Sequence, residues 1–577
     1  MPDASTAIIP AESTNVATGN PGLSWRAWTL LIGYTLTLFV FNLGAARTFT
    51  GHECYVAEAA REMLATGDWL VPRIAGDPWL EKPPLPHWIV ATVGWLTGGV
   101  NEFTARLPSA AIALLGVVLI TQLAVHWGGV TRGLLTGFIQ ATTVYTATYA
   151  HLAESDIYLW LVVLGCLVLF ARNQVEPSLP TRWYDGPTAF FVLLGLTQMV
   201  KGPLFGAAIA LLPCLGFAAL QRRWSAWKWF FSWPGLLLFV VISTAWPAAI
   251  LLRYPEAWWL WKLHTFGRFG DQCLNPHPWW YYASTIPWQL LPWTPLILLA
   301  LPGSWRRARS NAASPDCFLW LWFLLPLLLL STVKAKHHHY LIYSLPACSF
   351  WAADGIMLLR GWADRLATSK SRLWLTCTTA VAISLAGIFV CHRVRPEFTV
   401  DAAVLAGILS AASVGATAAW SRRRYPWMLA SVFAASWLVY AYVHGQIMPK
   451  TDRYADETAF LRRLNGPEHE GARLLIYGYE PARILLYCRL PAERFESFQR
   501  LRERYDELPK PYLATSLGHI PPLDTIAEIS CVDHANHARW ADQGAFTQLG
   551  VFRLHWRTPG QPAKSATPTS FSLDHGN

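Results

Sequence analysis

Residues 51–84 concentrate side chains that can move protons and bind anions, although they follow closely on the first long apolar run. His52 and Glu53 stand together near the start of this segment, and Glu81 and Lys82 stand together near its end. Carboxylates and imidazoles are common general acids and bases, and an ammonium group can bind a phosphate. The residue types therefore fit acid–base chemistry on an anionic substrate.

Two short helices are predicted to hold these four residues. Apolar and acidic positions spaced by three and four predict a first helix over residues 53–64, which Gly67 can end. A turn at residues 76–78 leads to a second helix beginning near Pro83. The alternative is an interfacial hairpin whose charges only face water, and the spacing alone does not separate the two interpretations.

The composition of the chain predicts a polytopic membrane protein. Of the 577 residues, 53% are hydrophobic and only 14% are charged, which is too apolar for an ordinary soluble enzyme. Windows long and apolar enough to cross a bilayer recur from Trp28 to Gly445. By this rule we expect about thirteen spans, after an N-terminal tail that has no removable signal peptide.

The distribution of charge predicts how the chain is oriented. A net charge of +10 suggests nucleic acid binding in a soluble protein, but here the basic residues alternate by loop and mark the cytoplasmic side. These clusters include Arg132, Arg172, Arg306 to Arg309, Arg360 and Arg422 to Arg424. Residues 51–84 and everything after Gly445 are then outside, where a disulfide between Cys54 and Cys273 can form.

Four regions are predicted along the chain. Residues 1–25 form a disordered tail, 26–447 the transmembrane domain, 448–557 a small extracytoplasmic α/β domain, and 558–577 a disordered tail rich in Pro, Ser and Gly. In the α/β domain we expect strands over 473–479, 512–516, 526–532 and 550–556, and a helix over 491–508.

Several motifs resemble one family. The chain contains His52-Glu53, "AEAAREML", "GDWLVPR" and Glu81-Lys82-Pro83 in the first outer loop. Further along it contains "NEFTARLPSA", Asp156 in "AESDIYL", "MVKGP" with Lys201, a Trp- and Tyr-rich loop with Arg268, and "STVKAKHHHYLIYSLPA". In this order they resemble the bacterial lipid-linked-sugar glycosyltransferases of the aminoarabinose transferase type, relatives of the protein O-mannosyltransferases within glycosyltransferase superfamily C.

The resemblance implies an inverting glycosyltransferase that takes a sugar from a polyprenyl phosphate at the outer face of the cytoplasmic membrane. The acceptor is a lipid, a glycan or a protein, and the donor is already activated, so no nucleotide cofactor is implied. The family usually has Asp where this chain has His52, which leaves open whether His52 or Glu53 is the base.

Roles follow for the matched residues. The resemblance places His52, Glu53 and Asp156 in catalysis, and Glu81 as a ligand if a divalent metal ion is bound. Carboxylates and histidine suit such an ion without requiring it. The donor phosphate is expected to be bound by Lys82, Lys201, Arg268, Lys336, His339 and Tyr340.

Simpler roles are also open for several of these residues. Asp156 can be a helix N-cap, and Lys201 and Lys336 can extend to the membrane surface. Adjacent histidines point different ways on a helix, so we expect at most one of residues 337–339 in the site.

Two other functions compete with sugar transfer. A flippase would move lipid-linked sugars without breaking a bond, but its charges are expected at the bilayer midplane, not in outer loops. An anchored surface module would need only one or two spans.

Overall fold

The computed structural model describes residues 22–175, 186–221, 224–266, 276–366, 370–520, 523, 527–534 and 549–556. The predicted phosphate ligand Arg268 and the predicted disulfide partner Cys273 lie outside the described residues, as do residues 1–21 and 557–577 of the chain. Cys54 is a buried free thiol.

The described chain is mainly helical. The α-helices are α1 (Trp25–Val40), α2 (Gly51–Thr66), α3 (Leu85–Thr97), α4 (Glu102–Thr142), α5 (Val144–Ala150), α6 (Ser155–Phe170), α7 (Pro187–Lys201), α8 (Phe205–Gln221), α9 (Trp224–Lys228), α10 (Trp233–Arg253), α11 (Ala257–Phe266), α12 (Tyr281–Gln289), α13 (Thr294–Ser310), α14 (Pro315–Thr332), α15 (Pro346–Leu366), α16 (Lys370–Val394), α17 (Thr399–Ser421), α18 (Tyr425–Tyr442), α19 (Met448–Lys450), α20 (Ala455–Arg463), α21 (Pro481–Tyr487) and α22 (Phe498–Glu507). The strands are β1 (Arg73–Ile74), β2 (Asp77–Pro78), β3 (Arg473–Tyr477), β4 (Ala492–Phe495), β5 (Pro511–Ser516), β6 (Ala527–His534) and β7 (Leu549–Trp556).

Seven helical segments of the described chain are long and apolar enough to cross a membrane, and two shorter apolar helices, α7 and α8, accompany them. A chain with this many apolar segments is a multi-pass membrane protein. The predicted number of about thirteen spans stays a prediction, because several helices that pack in the bundle, such as α1, are shorter than the usual span.

Helix α4 folds back on itself and supplies two of the predicted spans. Its backbone leaves the helical conformation at Gly128 and Gly129. The two arms then pack so closely that a Cβ added at Gly133 would lie 2.2 Å from Cγ2 of Val125. The small residue lets the arms approach, which explains why the sequence has two apolar windows here.

Two of the arginines that mark the predicted cytoplasmic side, Arg132 and Arg307, meet through shared carboxylates. The guanidinium of Arg132 donates to Asp354 at 2.8 and 3.0 Å, and Arg307 donates to both Asp316 and Asp354. These ion pairs join α4, α13, α14 and α15. Basic residues from two distant loops therefore lie close together, and the orientation of the chain in the membrane stays a prediction.

Residues 51–97, whose first part is predicted to lie outside the membrane, contain the two predicted helices. α2 ends at Gly67, whose backbone is left-handed with φ 71°, and α3 begins directly after Pro84. The turn between them is the short antiparallel pair β1 and β2. The nitrogen of the Trp246 ring donates to Leu70 O at 2.9 Å and that of Trp261 to Leu80 O at 2.8 Å, so α10 and α11 hold this segment in place.

A five-stranded sheet occupies the C-terminal part in the order β4-β3-β5-β7-β6. β3 pairs in parallel with β4 and β5, whereas β7 is antiparallel to its neighbours. The four predicted strands are present. The predicted helix over 491–508 is wrong in its first part, because residues 492–495 form strand β4 beside β3, and only 498–507 are helical.

Candidate active site

A buried ion pair fixes the start of helix α2. The guanidinium of Arg106 is 1% exposed and donates from Nε and Nη2 to the two carboxylate oxygens of Glu53 at 2.7 and 3.1 Å. Its remaining N–H groups donate to the backbone carbonyls of Leu43, Arg47 and Thr48 at 3.0–3.1 Å. All five donors of Arg106 are thus used, and the chain entering α2 is held to α4.

Glu53 is fully occupied by structural contacts. Its carboxylate also accepts from the backbone N–H of Thr50 and of Ala153, both at 2.9 Å, and the first of these completes a capping box. Burial alone would raise the pKa of Glu53, but the charge of Arg106 outweighs it and holds the pKa below its usual value. Glu53 therefore joins the segments before α2 and α6, and it does not face the crevice described next.

His52, Glu81 and Lys82 lie close to Asp156 and Lys201 beside that ion pair, and we call the region between these side chains the crevice. His52 is exposed, and Glu81 and Lys82 are half-buried. Desolvation of the imidazole by the surrounding protein lowers the pKa of His52, and the positive charge of Lys82 lowers it further. The charges of Asp156 and Lys201 also act on His52, so residues from α2, α6 and α7 meet here.

Asp156 and Lys201 form the opposite wall of the crevice. Lys201 Nζ donates to Asp156 Oδ1 at 2.6 Å, and the hydroxyl of Tyr343 donates to the same oxygen at 2.8 Å. Nε2 of His339 lies 3.9 Å from Asp156 Oδ2. Asp156 is in the first turn of α6 and its N-cap is Glu154, so the simpler N-cap role does not apply. Lys201 likewise turns to Asp156 and not to the membrane surface.

His338 points away from its two neighbours, whereas the rings of His337 and His339 stack with their centroids 5.2 Å apart. Nδ1 of His338 contacts the hydroxyl of Tyr145, whereas His339 approaches Asp156. Burial lowers the pKa of His339 to about 3, so this ring is neutral at physiological pH. Of the three, His339 is the one beside the carboxylate of the crevice.

Two predicted phosphate ligands have other partners. Lys336 is 3% exposed, and its ammonium donates to the backbone carbonyls of His277 and Val333. It therefore holds two loops together and is not brought into the crevice. Tyr340 is 5% exposed, and its ring lies beneath Lys201, with Nζ 4.5 Å from the ring centroid.

Glu154 and Arg47 are residues of the crevice that the sequence interpretation missed. Glu154 accepts from Thr50 Oγ1 at 3.4 Å, and its charge interacts with those of Lys82 and Arg47. Burial and the neighbouring carboxylates Glu53 and Asp156 raise the pKa of Glu154 to about 7. Among the described residues, the half-buried Arg47 side chain has no carboxylate within ion-pair distance.

Two signals in the sequence point to these residues. Glu154 stands two positions before Asp156 at the start of an apolar run, and Arg47 is a cation on the predicted outer side, where basic residues are disfavoured. Both patterns indicate a charged side chain whose position is not explained by membrane topology.

The metal site predicted at Glu81 has little support from the geometry. Among the described residues, no group of three histidine, cysteine, aspartate or glutamate side chains lies close enough to hold a metal ion. Glu81 instead lies next to Lys82, where its charge raises the pKa of the ammonium that burial lowers.

The fold and the site together define a class. Residues 81–247 match the family described as dolichyl-phosphate-mannose-protein mannosyltransferase. The fold is that of ArnT from Cupriavidus metallidurans, solved bound to undecaprenyl phosphate, with a TM-score of 0.74 at 19% identity over 92% of this chain and 98% of that one. The apo structure of the same protein gives a TM-score of 0.70. The predicted resemblance to glycosyltransferase superfamily C is therefore confirmed.

Curated relatives make the resemblance more specific. An undecaprenyl phosphate-alpha-4-amino-4-deoxy-L-arabinose arabinosyl transferase of Pseudomonas fluorescens is 28% identical over 357 residues, which are 60% of this chain and 62% of the relative. The transferase of the same name from Enterobacter sp. is 29% identical over 59% of this chain and 60% of its own length. The chain thus spans about three-fifths of the length of the curated relatives it matches.

Proposed function

We propose that this chain is a membrane glycosyltransferase that takes a sugar from a polyprenyl phosphate and transfers it to a lipid, glycan or protein acceptor. The reaction takes place at the outer face of the cytoplasmic membrane, and residues 448–557 form a domain on that side. The names of the curated relatives favour a pentose with an amino group as the sugar, and undecaprenyl phosphate as its carrier.

One observation carries this proposal: cations and carboxylates from four separate segments meet in one crevice at one end of an apolar helical bundle. A polyprenyl-phosphate sugar has its lipid in the bilayer and its phosphate at the surface. The bond that breaks therefore lies at the membrane boundary, where these side chains are held. A flippase would instead need its polar groups near the bilayer midplane.

Lys82 and Arg47 are the groups available to bind the donor phosphate. Among the described residues neither has a carboxylate within ion-pair distance, and both lie close enough to Glu154 to lower its pKa. The ammonium of Lys201 already pairs with Asp156, so less of its positive charge is available to the donor phosphate. As the sugar leaves, negative charge grows on the phosphate, and nearby cations stabilise that charge.

Glu154 is the base that this geometry favours. Glu53 has all its contacts filled by Arg106 and backbone N–H groups, and Asp156 is held by Lys201 and Tyr343. Glu154 is half-buried at the start of α6 and its pKa is raised to about 7, where a base works best at neutral pH. His52 lies across the crevice and can orient the acceptor hydroxyl.

The proposed transfer of the sugar needs no group beyond these side chains, the donor and the acceptor. The acceptor oxygen attacks the anomeric carbon and forms the new glycosidic bond, while the bond from that carbon to the phosphate oxygen breaks. The electron pair leaves with the lipid phosphate, and the acceptor proton passes to Glu154. Attack in line with the leaving phosphate inverts the anomeric centre, as the family resemblance implies.

Label transfer tests the function. Purified protein is incubated with a panel of radiolabelled polyprenyl-phosphate sugars and extracted membranes, and transfer by the wild type is compared with that by Lys82→Ala, Asp156→Ala and Glu154→Gln. Lys262→Ala is the matched control, since Lys262 is an exposed lysine of α11 that is not among the side chains brought together in the crevice. We expect the three crevice variants to lose transfer and the control to keep it. Movement of labelled lipid across vesicles without bond cleavage would favour the flippase.

A further inference from the structure

Residues 47–50 lead directly into α2, and we call them the entry segment. They belong to no helix or strand, so their backbone N–H and C=O groups need partners from elsewhere in the protein. Two of its side chains reach the crevice: the charge of Arg47 interacts with that of Glu154, and Thr50 Oγ1 donates to Glu154 Oε1 at 3.4 Å. The path of the entry segment therefore decides where these two groups lie.

Two residues of helix α21 hold Phe49 by its backbone. The hydroxyl of Tyr487 accepts from Phe49 N at 3.1 Å, and Nη2 of Arg483 donates to Phe49 O at 2.8 Å. Arg483 and Tyr487 are four residues apart in α21, so their side chains lie on the same face of that helix. Both backbone polar groups of one residue are thus bonded from a single helix of the C-terminal part of the chain.

The backbone of Thr48 is held from two sides. Its N–H donates to Asp452 Oδ2 at 2.7 Å, and its carbonyl oxygen accepts from Nη2 of Arg106 at 3.0 Å. Asp452 lies between α19 and α20, whereas Arg106 belongs to α4. The C-terminal part of the chain therefore bonds three of the four backbone polar groups of residues 48 and 49.

The two side chains of α21 are themselves fixed by partners. Arg483 is 5% exposed and pairs with Glu457 at 3.4 Å, and its guanidinium carbon lies 3.9 Å from the centroid of the Tyr454 ring. The hydroxyl of Tyr487 donates to Glu102 Oε1 at 2.9 Å. Side chains that are held in this way can fix the backbone atoms to which they are bonded.

These polar contacts do more than attach the C-terminal part to the helical bundle. Apolar packing is enough to dock one part of a protein on another, and it is present here, because Phe49 and Cys54 share a core with residues of α20 and α21. The hydrogen bonds are directed instead at backbone atoms of two consecutive residues. They fix the path of the main chain just before α2, which attachment alone does not require.

We propose that three side chains of the C-terminal part, Asp452, Arg483 and Tyr487, are positioning residues for the transfer of the sugar. By holding the entry segment they keep Arg47 beside the donor phosphate and Thr50 beside the carboxylate of the base. This inference rests on the proposed glycosyl transfer. It gives the C-terminal part of the chain a role in arranging the reacting groups, although it contributes no side chain to the crevice among the described residues.

Hydrogen exchange of the full-length protein in detergent tests whether the entry segment is held. Tyr487→Phe removes only the hydroxyl, which leaves the amide of Phe49 without its acceptor. Tyr505→Phe is the matched control, because both tyrosines are 7% exposed and the Tyr505 hydroxyl accepts from Leu554 N at 2.7 Å within the sheet. Exchange in residues 47–52 should become about tenfold faster in Tyr487→Phe and stay as in the wild type in the control.

Label transfer tests whether that position matters for the reaction. Tyr487→Phe should lower kcat about tenfold, since a small displacement of the groups around the reacting atoms slows the transfer, and Tyr505→Phe should not. Arg483 gives the conservative comparison. Arg483→Lys keeps a cation that can donate to Phe49 O and pair with Glu457, whereas Arg483→Met loses both contacts. Transfer by Arg483→Lys should therefore exceed that by Arg483→Met.

The pH profile gives a measurement that a loss of stability alone would not change. Burial and the carboxylates Glu53 and Asp156 raise the pKa of Glu154. The cations Lys82 and Arg47 lower it. When Arg47 moves away in the Tyr487 variant, the pKa of Glu154 rises, and the acid limb of kcat/KM should move to higher pH. In the Tyr505 variant the limb should stay in place.

The outcomes separate the positioning role from the proposed function. Unchanged exchange of residues 47–52 in Tyr487→Phe would overturn the positioning role. Faster exchange with an unchanged kcat and an unmoved acid limb would also overturn it, because the entry segment would then be held for stability alone. Absence of transfer by the wild type with every donor is a different result, since it removes the proposed function itself.

Discussion

The Glu53–Arg106 pair gives a prediction that separates positioning from catalysis. Glu53→Gln keeps the shape of the side chain but removes its charge, which leaves a guanidinium that is 1% exposed without a counterion. Breaking one partner of a buried ion pair costs about 3–5 kcal/mol, because the remaining charge stays buried and unpaired. We therefore expect the free energy of unfolding to fall by about this amount.

Equilibrium unfolding of the purified protein in mixed detergent measures this change. Glu397→Gln is the control, since it removes the same kind of charge from a pair with Arg395 in which the side chains are 54% and 56% exposed. Such a surface pair is worth about 0–1 kcal/mol. The difference between the two variants isolates the effect of burial.

A double variant completes the test. If Glu53 and Arg106 act as one unit, Glu53→Gln combined with Arg106→Met should destabilise the protein by clearly less than the two single changes added together. The reasoning is refuted if Glu53→Gln unfolds like the wild type. If that stable variant also fails to transfer sugar, Glu53 takes part in the chemistry, as the family resemblance first suggested.

Three further predictions follow from the crevice and the sheet. Lys82→Met should lower kcat/KM for the donor about a hundredfold in a label-transfer assay, with unfolding unchanged, because it removes one cation from the departing phosphate. The pKa of Glu154 is raised to about 7, so kcat/KM should fall about tenfold per pH unit below pH 7, and Glu154→Gln should abolish this limb of the profile together with most of the activity. Gly478→Ala should lower the free energy of unfolding by about 1–3 kcal/mol, since φ is +62° and the new Cβ would lie 2.4 Å from Cε1 of His519. Gly361→Ala is the control and should leave the stability unchanged, because its new Cβ meets nothing within 4 Å. Equal unfolding of the two variants would contradict the argument.

Much of the fold follows from patterns that act over short distances. Helical spacing and Gly67 predict α2, prolines predict the start of α3, and apolar windows predict the two arms of α4. Strand β4 was missed because residues 492–495 have the polar composition of a helix start, and the contact that makes them a strand is the pairing with β3. Pairing of this kind depends on tertiary contacts and not on local propensity.

The sequence motifs select His52, Lys82, Asp156, Lys201 and His339, and the structure places these side chains close together. Their membership of an active site and their roles stay predictions. The role of each residue depends on which partner its side chain contacts. A sequence does not give those distances.

Lys336 and Glu53 illustrate this limit. Both match the family pattern. The ammonium of Lys336, however, donates to backbone carbonyls, and the carboxylate of Glu53 accepts from Arg106. Matching a motif shows that a residue is retained at a position. It does not distinguish a group that contacts the substrate from one that holds the backbone around it.

The carboxylates near the crevice are kept in different states by their partners, and this difference is what the proposed chemistry needs. Glu53 stays ionised because a buried guanidinium neutralises it, and Asp156 is held by the ammonium of Lys201 and the hydroxyl of Tyr343. Within the described residues Glu154 has no such cation in contact, and its burial together with the negative charges of Glu53 and Asp156 raises its pKa, so its proton is the one held most tightly. The two paired carboxylates therefore do more than position the backbone: they add to the effect of burial and strengthen the affinity of Glu154 for the proton that it is proposed to take from the acceptor.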